Sequence, residues 1–309
     1  MRVLLAGATG AVGVPLLSAL ADAGHKVIAI IRDPAKRQVI TNYGAIPVIA
    51  DVLDREALLR AVDGQGADVV MHQATALRGA PRKLRPDDLT IALRGKGTEN
   101  LLHAARVVGA RRFVTQSLIT GYGYCDHGER LLTEDDEFGR HVGTVADLVT
   151  DSSVATERQV FAADGIEGIA LRYGMFYGKN AFSDMFADMM RKHAPVLPRG
   201  RTGVTSFIHV DDAASAAVAA MERGKAGEAY NIVDDEPMSW RDFLTTVARV
   251  HGTPRPVVTP QWMIRLAVPY LGCLLIDTKM RVSHAKATRD LAWTPAYRNL
   301  HEGLAAHAR

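Results

Sequence analysis

Cysteine is almost missing from this chain. Only Cys125 and Cys273 occur among its 309 residues. They lie far apart and outside any CxxC or Cys/His spacing, so neither a disulfide framework nor a thiolate metal site is encoded. Two reduced thiols are expected, as in a cytoplasmic protein. Charge of one sign is equally scarce: Lys and Arg number 37 against 34 Asp and Glu, for a net charge of +3, with no basic or acidic block. That balance argues against a nucleic-acid partner or a membrane-surface helix. Long apolar runs are lacking too. The longest, Trp262 to Ile276, is interrupted by Arg265 and Pro269 and falls short of the ~20 residues a spanning helix needs. It reads as a kinked helix that covers the core or lines a pocket, with no membrane partner. Met1 and Arg2 run directly into an apolar strand pattern, so no secretion leader is expected. No His or carboxylate spacing suits a metal, and the chain shows no repeat or low-complexity tract.

The opening "MRVLLAGATGAVG" is the most informative stretch present. An apolar strand flows into Gly7, Gly10 and Gly13 and then into a helical pattern carried by Val12, Leu16, Leu17 and Leu20. In a dinucleotide-binding turn the first glycine permits the tight bend, the second lets backbone approach pyrophosphate, and the third lets helix pack on strand. The helix N-terminus supplies N–H groups and partial positive charge. Gly7, Thr9, Gly10, Ala11, Val12 and Gly13 are therefore the expected phosphate cradle.

Strand-like runs recur at "RVLLAG", "KVIAIIR", "IPVIAD", "DVVMHQA", "RRFVTQS" and "IEGIALRY". Between them lie helical patterns at Ala35 to Tyr43, Arg55 to Val62, Thr98 to Val108 and Ser152 to Ala163. This alternation predicts an α/β fold, a doubly wound parallel sheet of the Rossmann kind covered on both faces. The pattern loosens after Tyr173, returns at "SFIHVDDAASAAVAAME" and "EAYNIVDD", and then breaks into short helices with Pro-rich joints. The expected division is a dinucleotide-binding core over 1–172, completed by 205–235, and a smaller discontinuous C-terminal substrate lobe from 173–204 and 236–309.

Taken in order, the glycine turn, "DVVMHQA", "KGTENLLHAA", "RRFVTQS", "LRYGMFYG", "FIHVDDAASA" and "LAWTP" span nearly the whole chain. This ordered set resembles the extended short-chain dehydrogenase/reductases. The resemblance implies a cofactor on the N-terminal core and substrate in a cleft under the C-terminal lobe. It also implies an active-site Ser or Thr and a YxxxK pair, and here the chain departs from the family. Val149 stands where Tyr belongs and Ser153 where Lys belongs. Ser117 falls one place early, Leu118 takes the usual hydroxyl position, and Arg94 replaces an active-site Asn. Valine cannot exchange a proton, and serine cannot lower the pKa of a phenol by its charge. The departure is similar to that of atypical ketoreductases that tailor polycyclic aromatic polyketides, where the substrate's own hydroxyl assists.

Individual residues carry rival readings. Ile31 sits where an acid would grip an adenosine 2′-hydroxyl and Arg32 follows it, which favours a 2′-phosphate and hence NADP (NADPH) as cofactor, with Lys36 and Arg37 adding positive field; a solvated basic turn is the alternative. Asp51 and Val52 resemble the family's adenine contacts, although Asp51 would also serve to cap a helix starting near Asp54. Ala74, Thr75 and Ala76 are small residues beside the middle of the cofactor, and Tyr173 with Gly174 is the wall that the family sets against nicotinamide. The candidate catalytic hydroxyls are Ser117, Thr120, Tyr122 and Ser153, each of which also fits strand-end hydrogen bonding. His72 reads as a core histidine, and His209, Asp211 and Asp212 as a structural turn. Met175, Met185, Met189 and Met190 with Phe176, Phe182 and Phe186 suit either an adaptable apolar pocket or plain helix packing. The expectation is an NADPH-dependent ketoreductase acting on a bulky, small-molecule ketone. A non-catalytic NADP-binding regulator is the runner-up, and a nucleotide-sugar epimerase or dehydratase ranks third because those reactions lean on the missing Tyr and Lys.

Overall fold

Aliphatic runs buried on both faces dictate a parallel sheet covered by helices on each side. The computed structural model, which describes residues 1–76 and 84–306, contains such a sheet of seven strands. They are β1 (Arg2–Ala6), β2 (Lys26–Ile31), β3 (Ile46–Ile49), β4 (Val69–His72), β5 (Arg112–Leu118), β6 (Glu167–Tyr173) and β7 (Glu228–Ile232). Their order is β7-β6-β5-β4-β1-β2-β3, and every pairing is parallel. The direction of winding reverses between β1 and β4. At such a switch point the carboxyl ends of neighbouring strands leave a crevice for ligand.

Alternation along β1 divides the core into two layers. Val3 and Leu5 join Leu16, Leu17 and Leu20 of helix α1 (Gly13–Asp22) on one face. Leu4 and Ala6 face Leu58 and Val62 on the other, with Leu101 and Ala105 from a further helix. Helix boundaries follow local chemistry. The pattern at Ala35 to Tyr43 yields only α2 (Arg37–Thr41), preceded by a tight turn over Pro34–Lys36 that Asp33 caps through Ala35 N–H at 3.0 Å. Helices α3 (Arg55–Val62) and α4 (Thr98–Val108) coincide with their sequence patterns, and α4 stops where Gly109 turns to φ +75°. Helix α5 (Asp147–Phe161) begins five residues before the pattern suggested. The Asp147 carboxylate accepts the N–H groups of Val142, Gly143 and Thr144, folding the preceding loop onto the helix start. Helix α6 (Val210–Arg223) packs beside α1 and over β5 and β6 with an alanine-rich buried face.

The chain outside this core forms a smaller lobe. Residues Asp126–Leu132, between β5 and α5, pair with Lys279–Val282 in a four-stranded sheet completed by Val204–Thr205 and Met238–Ser239. The segment from Trp262 is broken as its proline demands: Gln261–Ala267 is helical, Val268 adopts φ −141° and ψ 78°, and helical structure resumes at Pro269 and continues through Cys273–Asp277. The methionine and phenylalanine cluster mainly packs the lobe. Phe186 and Met190 are fully buried, and Phe186 meets Trp240 and Phe243, while Met185, Met189, Phe176 and Phe182 remain partly exposed. No helix among the described residues is long and apolar enough to cross a membrane.

Candidate active site

The glycine turn closes at the carboxyl end of β1. Gly7 has φ +92°, and a β-carbon there would sit 2.4 Å from the backbone of Gln73. One on Gly13 would lie 2.0 Å from the Gly7 carbonyl, so the third glycine brings α1 down onto the turn. Gly10 differs. It is exposed, its N–H donates to the Gly7 carbonyl at 3.0 Å, and the nearest obstacle to a β-carbon is that carbonyl at 3.3 Å. Its bareness therefore serves what lies outside the turn. No side chain caps α1 at Val12; Val14 N–H donates to the Gly10 carbonyl at 3.1 Å and Pro15 has no N–H, so an anion at this end would meet the N–H groups of Ala11, Val12 and Gly13. Thr9 and Ala11 are half-buried on the rim of this turn.

Ile31 is buried at the end of β2 and Arg32 is exposed beside it. The capping of α3 belongs to Asp54, whose carboxylate accepts Ala57 N–H at 3.0 Å; Asp51 instead accepts Leu53 N–H at 2.9 Å and so shapes the bend after β3. Val52 is buried, with its carbonyl held by the Asn100 amide at 2.8 Å. After β4, Ala74 receives the Gln116 amide on its carbonyl, Thr75 is exposed, and the Ala76 N–H donates to the Thr90 hydroxyl. Tyr173 is fully buried, its hydroxyl directed at the Ala213 carbonyl, and burial pushes its pKa up. Gly174 allows the backbone of Ser206 and Phe207 to approach, since a β-carbon would lie 2.9 Å from the Ser206 carbonyl.

No hydrogen bond among the described residues joins any two of the four candidate hydroxyls. Ser117, at the end of β5, is buried with no partner for its hydroxyl among the described residues. Thr120 is buried, and its hydroxyl, like that of Ser117, has no hydrogen-bond partner among the described residues. Ser153 donates back to the Val149 carbonyl at 3.0 Å. Tyr122 is committed elsewhere: it donates to the Asn231 side-chain carbonyl at 2.9 Å and accepts from Arg172 at 3.0 Å, while Arg172 chelates Glu157 at 3.0 and 2.8 Å. Burial pushes the Tyr122 phenol up to about 12 despite the adjacent guanidinium.

His72 is buried within β4. It contacts the Leu93 carbonyl at 3.2 Å, and burial lowers its pKa to about 4. His209 accepts Asp211 N–H at 3.2 Å, and the Asp212 carboxylate accepts Ala296 and Tyr297 N–H at 2.8 and 3.0 Å, stitching the C-terminal segment to α6. No cluster of metal-ligating side chains occurs among the described residues.

Arg94, which the resemblance sets at an active-site Asn position, lies in this region near two phenols that no motif groups with it. Arg94 lies in a short i→i+5 helical turn, Leu93–Gly97, ahead of α4 and is 2% exposed. Its Nη1 donates to the Ser152 hydroxyl at 3.0 Å, its Nε has no partner, and no described carboxylate pairs with it. The guanidinium is within electrostatic reach of Tyr124 and Tyr270, whose phenol oxygens are 3.0 Å apart in the buried interior. Arg94 and Tyr124 follow β4 and β5, whereas Tyr270 belongs to the lobe. Leu118 and Val149 are buried in the same apolar cluster as the two phenols. The signal for Tyr124 was a second aromatic residue two places after Tyr122 in "GYGYC"; nothing local marked Tyr270.

The profile of the NAD dependent epimerase/dehydratase family matches residues 3–233. Among known proteins, the chain is 36% identical to a 3-diazoavenalumate denitrifying reductase from a Streptomyces species, covering 98% of this chain and 99% of the relative. It is 27% identical to the 4-hydroxy-2-methyl-3-oxo-4-farnesyl-3,4-dihydroquinoline-1-oxide ketoreductase of Stigmatella aurantiaca, covering 94% and 85%. Among solved structures, the UDP-glucose 4-epimerase of Thermotoga maritima superposes with a TM-score of 0.79 over 100% of this chain and 97% of that one, at 21% identity, a likeness of fold.

Proposed function

The chain belongs to the NAD dependent epimerase/dehydratase family, and from that premise we propose that it is an NADPH-dependent reductase acting on a bulky, largely apolar ketone. The observation that carries this reading is the coexistence of a complete dinucleotide cradle with an apolar Val149 where a proton-donating tyrosine is expected. The cradle suits a nucleotide: Gly10 is bare toward solvent and no side chain caps α1. Bound there, the cofactor would supply the hydride. Ile31 offers no carboxylate to repel a 2′-phosphate, and the exposed Arg32 offers a bidentate donor.

An epimerase or dehydratase of this family leans on the Tyr and Lys of the YxxxK pair for its proton transfers, and Val149 and Ser153 stand in their places. Hydride delivery tolerates that loss better. A general acid contributes about 10² to 10⁴ in rate, whereas orienting the reactants contributes about 7 to 11 kcal/mol. The names of the two relatives state reduction of a diazo compound and of a ketone, so dissimilar acceptors are served on related chains. In this reading Leu118, Val149 and the partly exposed Phe176, Phe182, Met185 and Met189 form the apolar side of the substrate cleft.

The test is NADPH consumption against a panel of polycyclic ketones, with cofactor affinity measured separately. NADPH should bind at least several-fold tighter than NADH, and Arg32→Ala should narrow that gap. Equal affinities in the unaltered protein would refute the cofactor assignment. Tight NADPH binding with no turnover of any carbonyl compound would favour a non-catalytic NADP-binding regulator.

A further inference from the structure

Two guanidiniums are buried among the described residues, and they are held in opposite ways. Arg172 is chelated by Glu157. Arg94 is more deeply buried, at 2% against 6% exposure, yet it has no carboxylate partner. A buried cation without a counter-charge is costly and persists only where something compensates it. Its neighbours are neutral phenols, and its Nε points at no acceptor. Its place is equally informative. The Arg94 turn follows β4 and Tyr124 follows β5, on the side of the sheet where β1 opens into the glycine turn and where the strand order reverses. Ligands in open α/β sheets lie outside the carboxyl ends of strands at that crevice.

We propose that Arg94, Tyr124 and Tyr270 form the end of the active site that receives the substrate oxygen, with Arg94 binding its developing negative charge and Tyr124 donating its proton. This rests on the reductase reading above. Bound in the cradle, reduced nicotinamide would supply the hydride for the new C–H bond and would itself be oxidised; as the C=O π pair moves to oxygen, that oxygen takes the proton from Tyr124 Oη, whose O–H bond breaks, and the ketone becomes an alcohol. The phenolate left on Tyr124 is held by Arg94 and by the Tyr270 hydroxyl 3.0 Å away, which returns a proton and is itself replenished from solvent. Burial raises both phenols, so each carries its proton at neutral pH, while Arg94 draws both in the opposite direction. The arrangement also accounts for the small residues on α5: Ser152 accepts the guanidinium, and Ser153 turns its hydroxyl inward to Val149. The cation and phenol missing from positions 153 and 149 are thereby supplied by other parts of the chain. Preorganised charge aimed at a developing oxyanion is commonly a large catalytic contribution.

The experiment uses the full chain with NADPH and α-tetralone as the ketone probe, and 2-naphthol with NADP as an unreactive mimic of the product oxygen. Tyr124→Phe should lower kcat by about 10² to 10⁴, with KM and NADPH affinity changed less than threefold. Arg94→Met should weaken 2-naphthol at least tenfold and leave NADPH affinity unchanged, and Arg94→Lys should recover part of that loss. Should Tyr124→Phe fold poorly by circular dichroism, Tyr270→Phe provides the same comparison through a residue of the lobe, with kcat expected to fall at least tenfold. Turnover within threefold of the unaltered enzyme in folded Tyr124→Phe, or undiminished 2-naphthol affinity in Arg94→Met, would overturn the proposal. Absence of ketone turnover in the unaltered chain would count against the reductase reading alone, because 2-naphthol binding still reports on Arg94.

Discussion

Replacing Arg94 by methionine should leave the fold as stable as before, or more stable, although a buried, hydrogen-bonded side chain has been removed. Holding an unpaired guanidinium out of water costs several kcal/mol even after relaxation, and burial pulls the Arg94 pKa below its usual value. Against that stands one charge-assisted hydrogen bond, to Ser152 at 3.0 Å, worth about 1.5–3 kcal/mol. Ser152 is not orphaned by its loss, since its hydroxyl also donates to the Val149 carbonyl at 2.8 Å. Methionine is unbranched and flexible enough to occupy much of the vacated volume. The net change lies between about 0 and 3 kcal/mol in favour of the variant. One kcal/mol moves the melting midpoint by about 2–4 °C for chains of about 150–250 residues, so a rise of up to several degrees is expected by differential scanning fluorimetry. Arg172→Met is the contrast. It strands Glu157, which is 4% exposed, and breaking a buried pair in this way costs about 3–5 kcal/mol. If Arg94→Met lowered the midpoint as far as Arg172→Met does, the guanidinium would be compensated within the chain, and a role in holding ligand would lose its physical basis.

Two further outcomes follow from the cradle and from β4. Gly10→Ala should fold with a melting midpoint near that of the unaltered protein, because its β-carbon meets only the Gly7 carbonyl at 3.3 Å, yet bind NADPH at least tenfold more weakly; Gly7→Ala, at φ +92° and 2.4 Å from Gln73, should lose stability itself. Normal NADPH affinity in Gly10→Ala would contradict the assignment of this turn to pyrophosphate. His72 is held neutral, with a pKa of about 4 against the ordinary 6.5. The unfolded chain therefore binds a proton that the folded one refuses, so this contribution is fully present above pH 6.5 and is lost as the pH falls toward 4. The slope is about 1.4 kcal/mol per pH unit and the total about 3 kcal/mol. Urea titrations between pH 7 and 5 should show a flatter dependence for His72→Gln, and an unchanged slope would show that His72 is not the group responsible.

The sequence by itself determined the sheet and the glycine turn that ends β1. Strands buried on both faces must be written as near-continuous aliphatic runs, and a phosphate-binding turn must be written in glycines at fixed spacing, so both features are local and legible in "MRVLLAGATGAVG" and the runs that follow. It also determined what is missing, because in any fold Val149 cannot exchange a proton and Ser153 cannot carry the positive charge of a lysine. Local chemistry beyond these periodic signals decided finer points: α5 starts early because the Asp147 carboxylate gathers the three preceding N–H groups, and Asp54 rather than Asp51 caps α3. Only the tertiary structure decided where a phenol and a cation meet. Arg94, Tyr124 and Tyr270 lie on a helical turn after β4, a loop after β5 and a helix of the lobe, separated by 30 and 146 residues. A contact across such distances leaves no periodicity and no spacing to read. It exists because closing the lobe over the core brings Tyr270 against Tyr124, and because the serines of α5 leave room for a guanidinium that no carboxylate in the described chain neutralises.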